Sequence, residues 1–530
     1  MINRVVILDG YTDEPAGLGV PPYINTYPRL VAGAIWLARP EAEIKYWTID
    51  EARRNLDIFI DNAKRSDIVV FIYGMEVPGK YLGGRPMTIA ELEYFTTIIR
   101  DAVKILVGPA ARFGTGTGGG SVAYSMKRLS GFVDYIVRGD PEIFFYEATS
   151  VGLEKADPLK QRENYDIADR AFIEGARIVT QHPNYGKNLV VEVETYRGCP
   201  RYIVGGCSFC IEPRYGKPVM RPVQGIVEEV RRLYILGVRH VRLGKQPDIL
   251  TYMAKGVGER EYPEPSPDAL RRLFHGIRSN APGLITLHID NVNPGTIANN
   301  VEKATEALKI IVEYHTPGDV AALGVESFDE EVIRRNNLKT SPEETLEAIR
   351  VINRVGSRRG WNGLPHLLPG INLLYGLPGE TKETYRINYE YLMRVLNEGL
   401  LVRRVNIRKV VVLESTPLWA HKRAVGKILW KHSHIYEVYR RRVMRDFDRE
   451  MMRRIVPSGT LLSYLWVEKV GEKTSTARFP GSYPIAVKFH EKLEKFSIVD
   501  ALVVKHSAKS VLGKPVALRK SGHVASERGL

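Results

Sequence analysis

The sequence predicts an α/β protein, with a Rossmann-like domain first, a partial or full α/β barrel next, and a basic helix with a small β-barrel at the C-terminus. Three observations predict it. Apolar, β-branched runs alternate with amphipathic stretches from the N-terminus to about residue 420, as parallel strands do when helices cover both faces of their sheet. A later stretch has an apolar residue at every fourth position and arginines around the rest, the pattern of a helix buried on one side. Short strand-like runs then follow one another to the end, which suits a small barrel.

A chain of 530 residues exceeds what one core supports and should divide into about three or four domains of roughly 150 residues. The first, residues 1–150, has strand candidates in VVILDG (5–10), EIKYW (43–47), DIVVFIYG (67–74), VKILVGPAA (103–111) and VDYIVRGD (133–140). Its GTGTGGGS (114–121) could cradle phosphate through backbone amides, but it lacks GxGxxG spacing and follows the fourth strand, so a plain loop is the competing reading. Residues 151–187 connect this domain to the second series, residues 188–420. There the candidates are LVVEVET (189–195), VRHVRLG (238–244), LITLHID (284–290), VAALGVES (320–327), GINLLYG (370–376) and VNIRKVVVL (405–413). Between two of them, PEETLEAIRVINRVG (342–356) has helical spacing and a terminal glycine. The reactive ends of such a barrel are the C-terminal ends of its strands.

Residues 421–457 form the basic helix, whose expected buried stripe is Ile435, Tyr439, Val443, Phe447, Met451 and Ile455. Some of its arginines should pair with Asp446, Asp448 and Glu450. Residues 458–515 are the small barrel, with strands in LLSYLWVE, TARF, YPIAVKF and VDALVVKH, and 516–530 a disordered tail.

Of the net charge of +15, residues 401–530 hold 27 Lys+Arg against 11 Asp+Glu, a local balance of +16, so the first 400 residues sum to −1. A basic region confined to one end is the footprint of a polyanion-binding surface; a solvated Lys/Arg-rich face is the plainer alternative. The N-terminus lacks the pattern of a secretory signal, and no apolar run is long enough to span a bilayer. A cytoplasmic protein without a membrane partner is expected.

All three cysteines, Cys199, Cys207 and Cys210, lie in RGCPRYIVGGCSFC. In a reducing compartment such a group more naturally holds a soft metal than forms disulfides. A structural zinc needs a fourth ligand, and the nearest histidines in sequence, His182 and His240, lie outside the loop. A [4Fe-4S] cluster can take three cysteines and leave one iron open.

Here the loop resembles that of the radical S-adenosylmethionine (SAM) enzymes, in which three cysteines, usually CxxxCxxC with an aromatic before the last (here Phe209), follow the first strand of a (β/α)6 partial barrel. The first gap departs from that pattern, with seven residues where the family has three. Other segments resemble the family's strand motifs: GVESFDEEVIRRNNLKTSPEETLEAIRVI (324–352), GINLLYGLPGETKETY (370–385) and VNIRKVVVLESTPLW (405–419). VRLGKQPD (241–248) stands where the family binds the SAM amino group, keeping Gly244 but following it with Lys245 and Gln246.

The resemblance implies a [4Fe-4S] cluster on Cys199, Cys207 and Cys210, with SAM held near Phe209, Gly244, Gln246, Asn293, Glu326, Pro378 and Gly379. Glu326 would contact SAM ribose or substrate, and His288 and Asp290 would line the pocket as candidate catalytic groups. An electron donor such as ferredoxin or flavodoxin is implied.

The domain order resembles that of tRNA methylthiotransferases and of an uncharacterised archaeal group. No cysteine remains for a second cluster, so methylthiolation by that route is not expected. The N-terminal domain resembles cobalamin-binding domains without their DxHxxG segment, which leaves cobalamin open but not favoured. The C-terminal barrel resembles an RNA-binding one, which with the local charge implies an RNA partner, tRNA foremost, bound through residues 421–520. A small molecule, lipid or peptide substrate is the alternative, as is a non-enzymatic RNA-binding protein with a structural metal.

Overall fold

The computed structural model describes residues 2–12, 22–74, 84–116, 118–124 and 126–519. The chain forms two compact units. One comprises Met1–Tyr196, Val219–Val238 and Val411–Ala420; the other comprises Arg197–Pro218, Arg239–Val410 and His421–Leu530.

In the first unit, β1 (Arg4–Asp9), β2 (Glu43–Thr48), β3 (Ile68–Ile72), β4 (Val103–Val107) and β5 (Tyr135–Ile136) make a parallel sheet in the order β2-β1-β3-β4-β5. Every residue of β3 is buried, as suits a strand covered on both faces, whereas edge strand β2 alternates. This order places a topological switch point between β1 and β3. All five strands expected from the sequence are present. The glycine-rich segment after β4 closes on itself through a bridge between Thr115 and Tyr124; Thr117 lies outside the described residues.

The unit continues with α1 (Thr26–Ala38), α2 (Asp166–Gly175), β6 (Val190–Glu194) and α3 (Val223–Ile235). Arg29 of α1 is paired with Glu229 of α3 at 2.8 Å, both side chains wholly buried, and Glu229 is shared with Arg221 at 2.5 Å. Each charge in this network keeps a partner, which a buried ion requires.

The second unit contains β7 (His240–Gly244), α4 (Pro267–Asn280), β8 (Thr286–His288), β9 (Asn291–Val292), α5 (Val301–Tyr314), β10 (Asp319–Glu326), α6 (Glu330–Arg335), α7 (Pro342–Gly356), β11 (Leu367–Tyr375), α8 (Lys382–Asn397) and β12 (Arg404–Lys409). β7 pairs with β8, and β9-β10-β11-β12 form a second sheet, all parallel. Helix α7 begins in a capping box between Ser341 and Glu344. Each strand candidate of the second series is a strand in the fold.

Past β12 come α9 (Lys422–Lys431), α10 (Ser433–Val443), a π-helical turn at Met444–Asp448 and α11 (Arg449–Ile455). The expected buried stripe holds for Val443, Phe447, Met451 and Ile455, but Ile435 and Tyr439 are only half-buried, and His432 and Tyr436 take the inner positions. A strict four-residue repeat drifts around an α-helix of 3.6 residues per turn, and the π turn re-phases it only from Val443 onward.

The C-terminal segment closes into a barrel of β13 (Leu461–Val470), β14 (Ser475–Arg478), β15 (Ala486–Phe489), β16 (Ile498–His506) and β17 (Ser510–Arg519), in the order β13-β14-β15-β17-β16 with β15 and β17 parallel. That is the topology of an OB-fold. Strand β17 was not anticipated; it continues past residue 516, where a disordered tail was expected, and residues 520–530 lie outside the described ones.

Candidate functional site

The cysteine loop solves its long first gap with one turn. After Cys199, residues Pro200–Val204 form a 3-10 helix, and Gly205 and Gly206 turn the chain back in left-handed conformations (φ 80° and 68°). A Cβ on Gly206 would lie 2.1 Å from Pro213 Cγ, so the return is open to glycine alone. Cys207 then closes a turn on Cys210, whose amide donates to the Cys207 carbonyl at 3.1 Å.

The thiols of Cys199 and Cys207 are buried, Cys210 is half-buried, and all three are free. Burial pushes Cys199 up to about 12, with Cys207 acting in the same direction. Burial also raises Cys210, and the charges of Cys207 and Cys199 add to it. Thiols this reluctant to ionise need cationic compensation, which bound metal supplies. Among the described residues, no three His, Cys, Asp or Glu side chains gather closely enough to hold a single metal ion. Of the two histidines nearest in sequence, the His182 Nδ1 accepts the Asn184 amide, and the His240 Nδ1 meets the Thr286 hydroxyl. A mononuclear zinc site does not fit this donor set; three thiols without a fourth protein ligand fit a cluster with one open iron.

Arg201, inside the long gap, is 1% exposed. Its Nη1 donates to Cys207 Sγ at 3.0 Å and to the Asn337 carbonyl at 2.9 Å, and its Nε pairs with Glu261 at 2.8 Å. The segment between α6 and α7 grips the loop in return. Asn336 accepts from the Ser208 amide and hydroxyl and donates to the Pro378 carbonyl, while Asn337 Nδ2 donates to the carbonyls of Val204 and Gly206 at 2.8 and 2.9 Å. Two residues later in the same segment, Lys339 is raised by the charges of Cys207, Glu326, Cys210 and Cys199 against an opposing burial effect, which is the largest single influence.

The expected site residues fall into three groups. Cys199, Cys207, Cys210 and half-buried Phe209 share the loop; Pro378 joins it through Asn336, and Gly379 packs beside Arg335. Glu326 ends β10 in a left-handed conformation, φ 67°, rare for a residue with a side chain. Burial raises its carboxyl, with Lys339 and then Arg408 opposing.

A second group makes contacts close by in the chain or on the neighbouring strand. Gly244 ends β7, Gln246 is buried with its Nε2 donating to the Leu243 carbonyl, and Asn291 reaches the Gln246 carbonyl at 3.2 Å. Asn293 caps the short helix at Pro294–Asn299, accepting from the Gly295 amide.

His288 stands apart. Its Nε2 meets the Thr316 carbonyl just before β10, and its Nδ1 accepts the Ser482 amide at 2.9 Å from the loop between β14 and β15, so both ring nitrogens are engaged. That loop closes the end of the barrel opposite the cysteines: Thr286 donates to the Pro480 carbonyl, Arg403 donates to the Tyr483 carbonyl at 2.6 Å, and Tyr483 lies in the same electrostatic neighbourhood as Asp290. Sequence reasoning missed Arg201, Asn336, Asn337, Lys339 and this floor. The only signal was the Asn-Asn pair before an N-cap serine, since asparagine tolerates the left-handed backbone that Asn337 adopts at φ 48°.

A family model for the radical SAM superfamily matches residues 193–392. An uncharacterized protein of Methanocaldococcus jannaschii is 42% identical over 531 residues, covering 99% of this chain and 95% of its own length. The tRNA-2-methylthio-N(6)-dimethylallyladenosine synthase of Agrobacterium fabrum is 26% identical over 190 residues, 36% of either chain. Among solved structures, the radical SAM methyltransferase TsrM of Kitasatospora setae, with tryptophan substrate and a SAM analogue bound, superposes with a TM-score of 0.54 at 15% identity, covering 78% of this chain and 75% of that one. At that identity the likeness is one of fold.

Proposed function

We proceed from the fact that the chain belongs to the radical SAM superfamily, and propose that it is a member that modifies RNA, tRNA foremost. Its cofactors are a [4Fe-4S] cluster and SAM, which when bound supply a 5′-deoxyadenosyl radical by reductive cleavage of a carbon–sulfur bond. Cys199, Cys207 and Cys210 would hold the cluster, with Arg201 and Lys339 supplying positive charge beside the thiolates. Glu326 and the Pro378–Gly379 turn would face SAM at the strand ends. The floor loop at 480–484 would keep water out from below.

One observation carries the RNA reading. Helix α9 contains Lys422, Arg423, Lys427 and Lys431 and no acidic residue, and among them Trp430 is 83% exposed. A bare indole among cations is a stacking platform for a base with contacts for its phosphates. The helix packs Leu429 against Gly376 just past the C-terminal end of β11, beside the end of the barrel where the cysteines lie. The OB-type barrel and the partial similarity to a tRNA-modifying synthase support the same reading. A small-molecule substrate is the second reading; it is favoured by the β14–β15 loop, which serves as barrel floor and so gives the C-terminal barrel a structural purpose. Cobalamin stays outside the proposal: Asp9, at the end of β1, is engaged by Tyr46, Tyr11 and Asn25, and no histidine occurs in Asp9–Thr12. A cytoplasmic setting and a ferredoxin- or flavodoxin-like donor complete it.

The test is anaerobic reconstitution. The wild type should bind iron and sulfide and release 5′-deoxyadenosine from SAM, and Cys207→Ala should lose both. Binding of bulk tRNA should weaken at least tenfold in Trp430→Ala and in Lys427→Glu, with a steep salt dependence in the wild type. Unchanged binding in both variants would remove RNA as the substrate and leave the enzyme class standing.

A further inference from the structure

The inner wall of the second unit differs from its outer one. Along β10 and β11, Leu323, Val325, Ile371, Leu373 and Tyr375 are buried. Their neighbours Glu326, Asn372 and Leu374 are only partly buried, as is every residue of edge strand β12, Arg404, Asn406 and Arg408 among them. A central strand packed on both faces is buried throughout, so the Asn372 and Leu374 face of β11 borders an open lumen. It is the lumen beneath the cysteines: Arg408, opposite Leu374, is in electrostatic reach of Glu326, which acts on Lys339 together with the three thiols.

The wall facing that lumen is cationic. Gly370, Asn372 and Leu374 stand opposite Arg404, Asn406 and Arg408 in register. Arg404 and Arg408 are therefore about 13 Å apart along β12, at 3.3 Å per residue, and between them Asn406 donates to Asn372 Oδ1 at 3.1 Å. Arg404 makes no ion pair among the described residues; its guanidinium lies 4.0 Å over the ring of Tyr483, the floor residue. Burial pulls it down to about 10, with Tyr483, Asp290 and Asp448 opposing and Arg408 assisting. A guanidinium this buried, with carboxylates in its neighbourhood but none bonded to it, gains from an anion that bonds it directly. Glu326 answers Lys339 before Arg408.

We propose that this wall binds the substrate through an oxyanion group, Arg404 and Arg408 gripping a phosphoryl or carboxyl group and the Asn372–Asn406 amide pair contacting a neutral polar part beside it. Tyr483, supplied by the C-terminal barrel, sets the depth of the chamber by stacking on Arg404. The inference rests on the lumen being the reaction chamber, a premise that SAM cleavage by the same wild-type preparation tests separately.

The experiment is arginine modification by phenylglyoxal on the full chain, mapped by peptide mass spectrometry. It is run with inorganic phosphate, with acetate, or with chloride at equal ionic strength. Phosphate or acetate should slow modification of Arg404 and Arg408 at least threefold relative to chloride and leave exposed Arg441 unaffected; the more effective anion identifies the group as phosphoryl or carboxyl. Arg404→Met should abolish that protection at Arg408, and Arg404→Lys should retain part of it, with circular dichroism confirming that both variants fold. Equal protection by chloride, equal protection at Arg441, or full protection of Arg408 in Arg404→Met would each overturn the proposal.

Discussion

Arg201 does two things with one guanidinium. It donates to a cysteine sulfur, and it ties the cysteine loop to the Asn337 carbonyl. Hydrogen bonds and positive charge at a ligand sulfur stabilise the reduced, more negative state of an iron–sulfur cluster. Arg201→Met is therefore expected to lower the cluster's reduction potential, by about 59 mV if the one-electron equilibrium shifts tenfold, and to shorten iron retention. Arg201→Lys should fall between. An EPR-monitored redox titration reads the first effect and iron per chain the second; an unchanged potential in Arg201→Met would show that the contact is structural only. The residue sits in the extra length of the Cys199–Cys207 gap, so the departure from the usual spacing is what places it there.

At the scale of elements, the segment joining α6 to α7 acts as a clamp. Asn337 holds two loop carbonyls while its own backbone is left-handed. Asn337→Gly keeps the backbone at ease and loses only the bonds, about 1–3 kcal/mol for the two; Asn337→Ala adds about 1 kcal/mol of strain. Both variants should lose iron faster than the wild type, and the thermal midpoint should fall further in Ala than in Gly. An equal midpoint for the two would mean that the conformation carries no strain.

The strands of both series were legible because those buried on both faces leave unbroken apolar runs. Strand β17, SVLGKPVALR, was not: it contains Gly513 and Pro515, and Lys514, Val516 and Leu518 face solvent, so neither apolar continuity nor clean alternation marks it. The clamp was equally hidden, since nothing in the spacing of two asparagines says which loop they will meet.

For the molecule as a whole, the C-terminal barrel is built into the catalytic fold. Its β14–β15 loop lies against β8, where a Cβ on Gly481 would come 2.5 Å from His288 Cε1. Gly481→Ala should therefore unseat the loop at a cost of about 1–3 kcal/mol, seen as a lower thermal midpoint of the second unit. A midpoint equal to that of the wild type would show that the loop yields without loss. Removing residues 421–530 to test RNA binding would open the chamber floor, so surface substitutions on α9 are the cleaner probe. No helix among the described residues is long and apolar enough to cross a membrane.

By itself, the sequence determined the order of the elements, the grouping of the three thiols on one loop and the segregation of charge, because each is carried by local composition and period. The tertiary structure alone decided which side chains stand around those thiols, that His288 meets the β14–β15 loop, and that Arg404 of β12 stacks on Tyr483. Those facts depend on contacts between residues far apart in the chain, such as Ser482 with His288 or Arg201 with Asn337. Local propensity carries no record of such partners; only chain closure selects them.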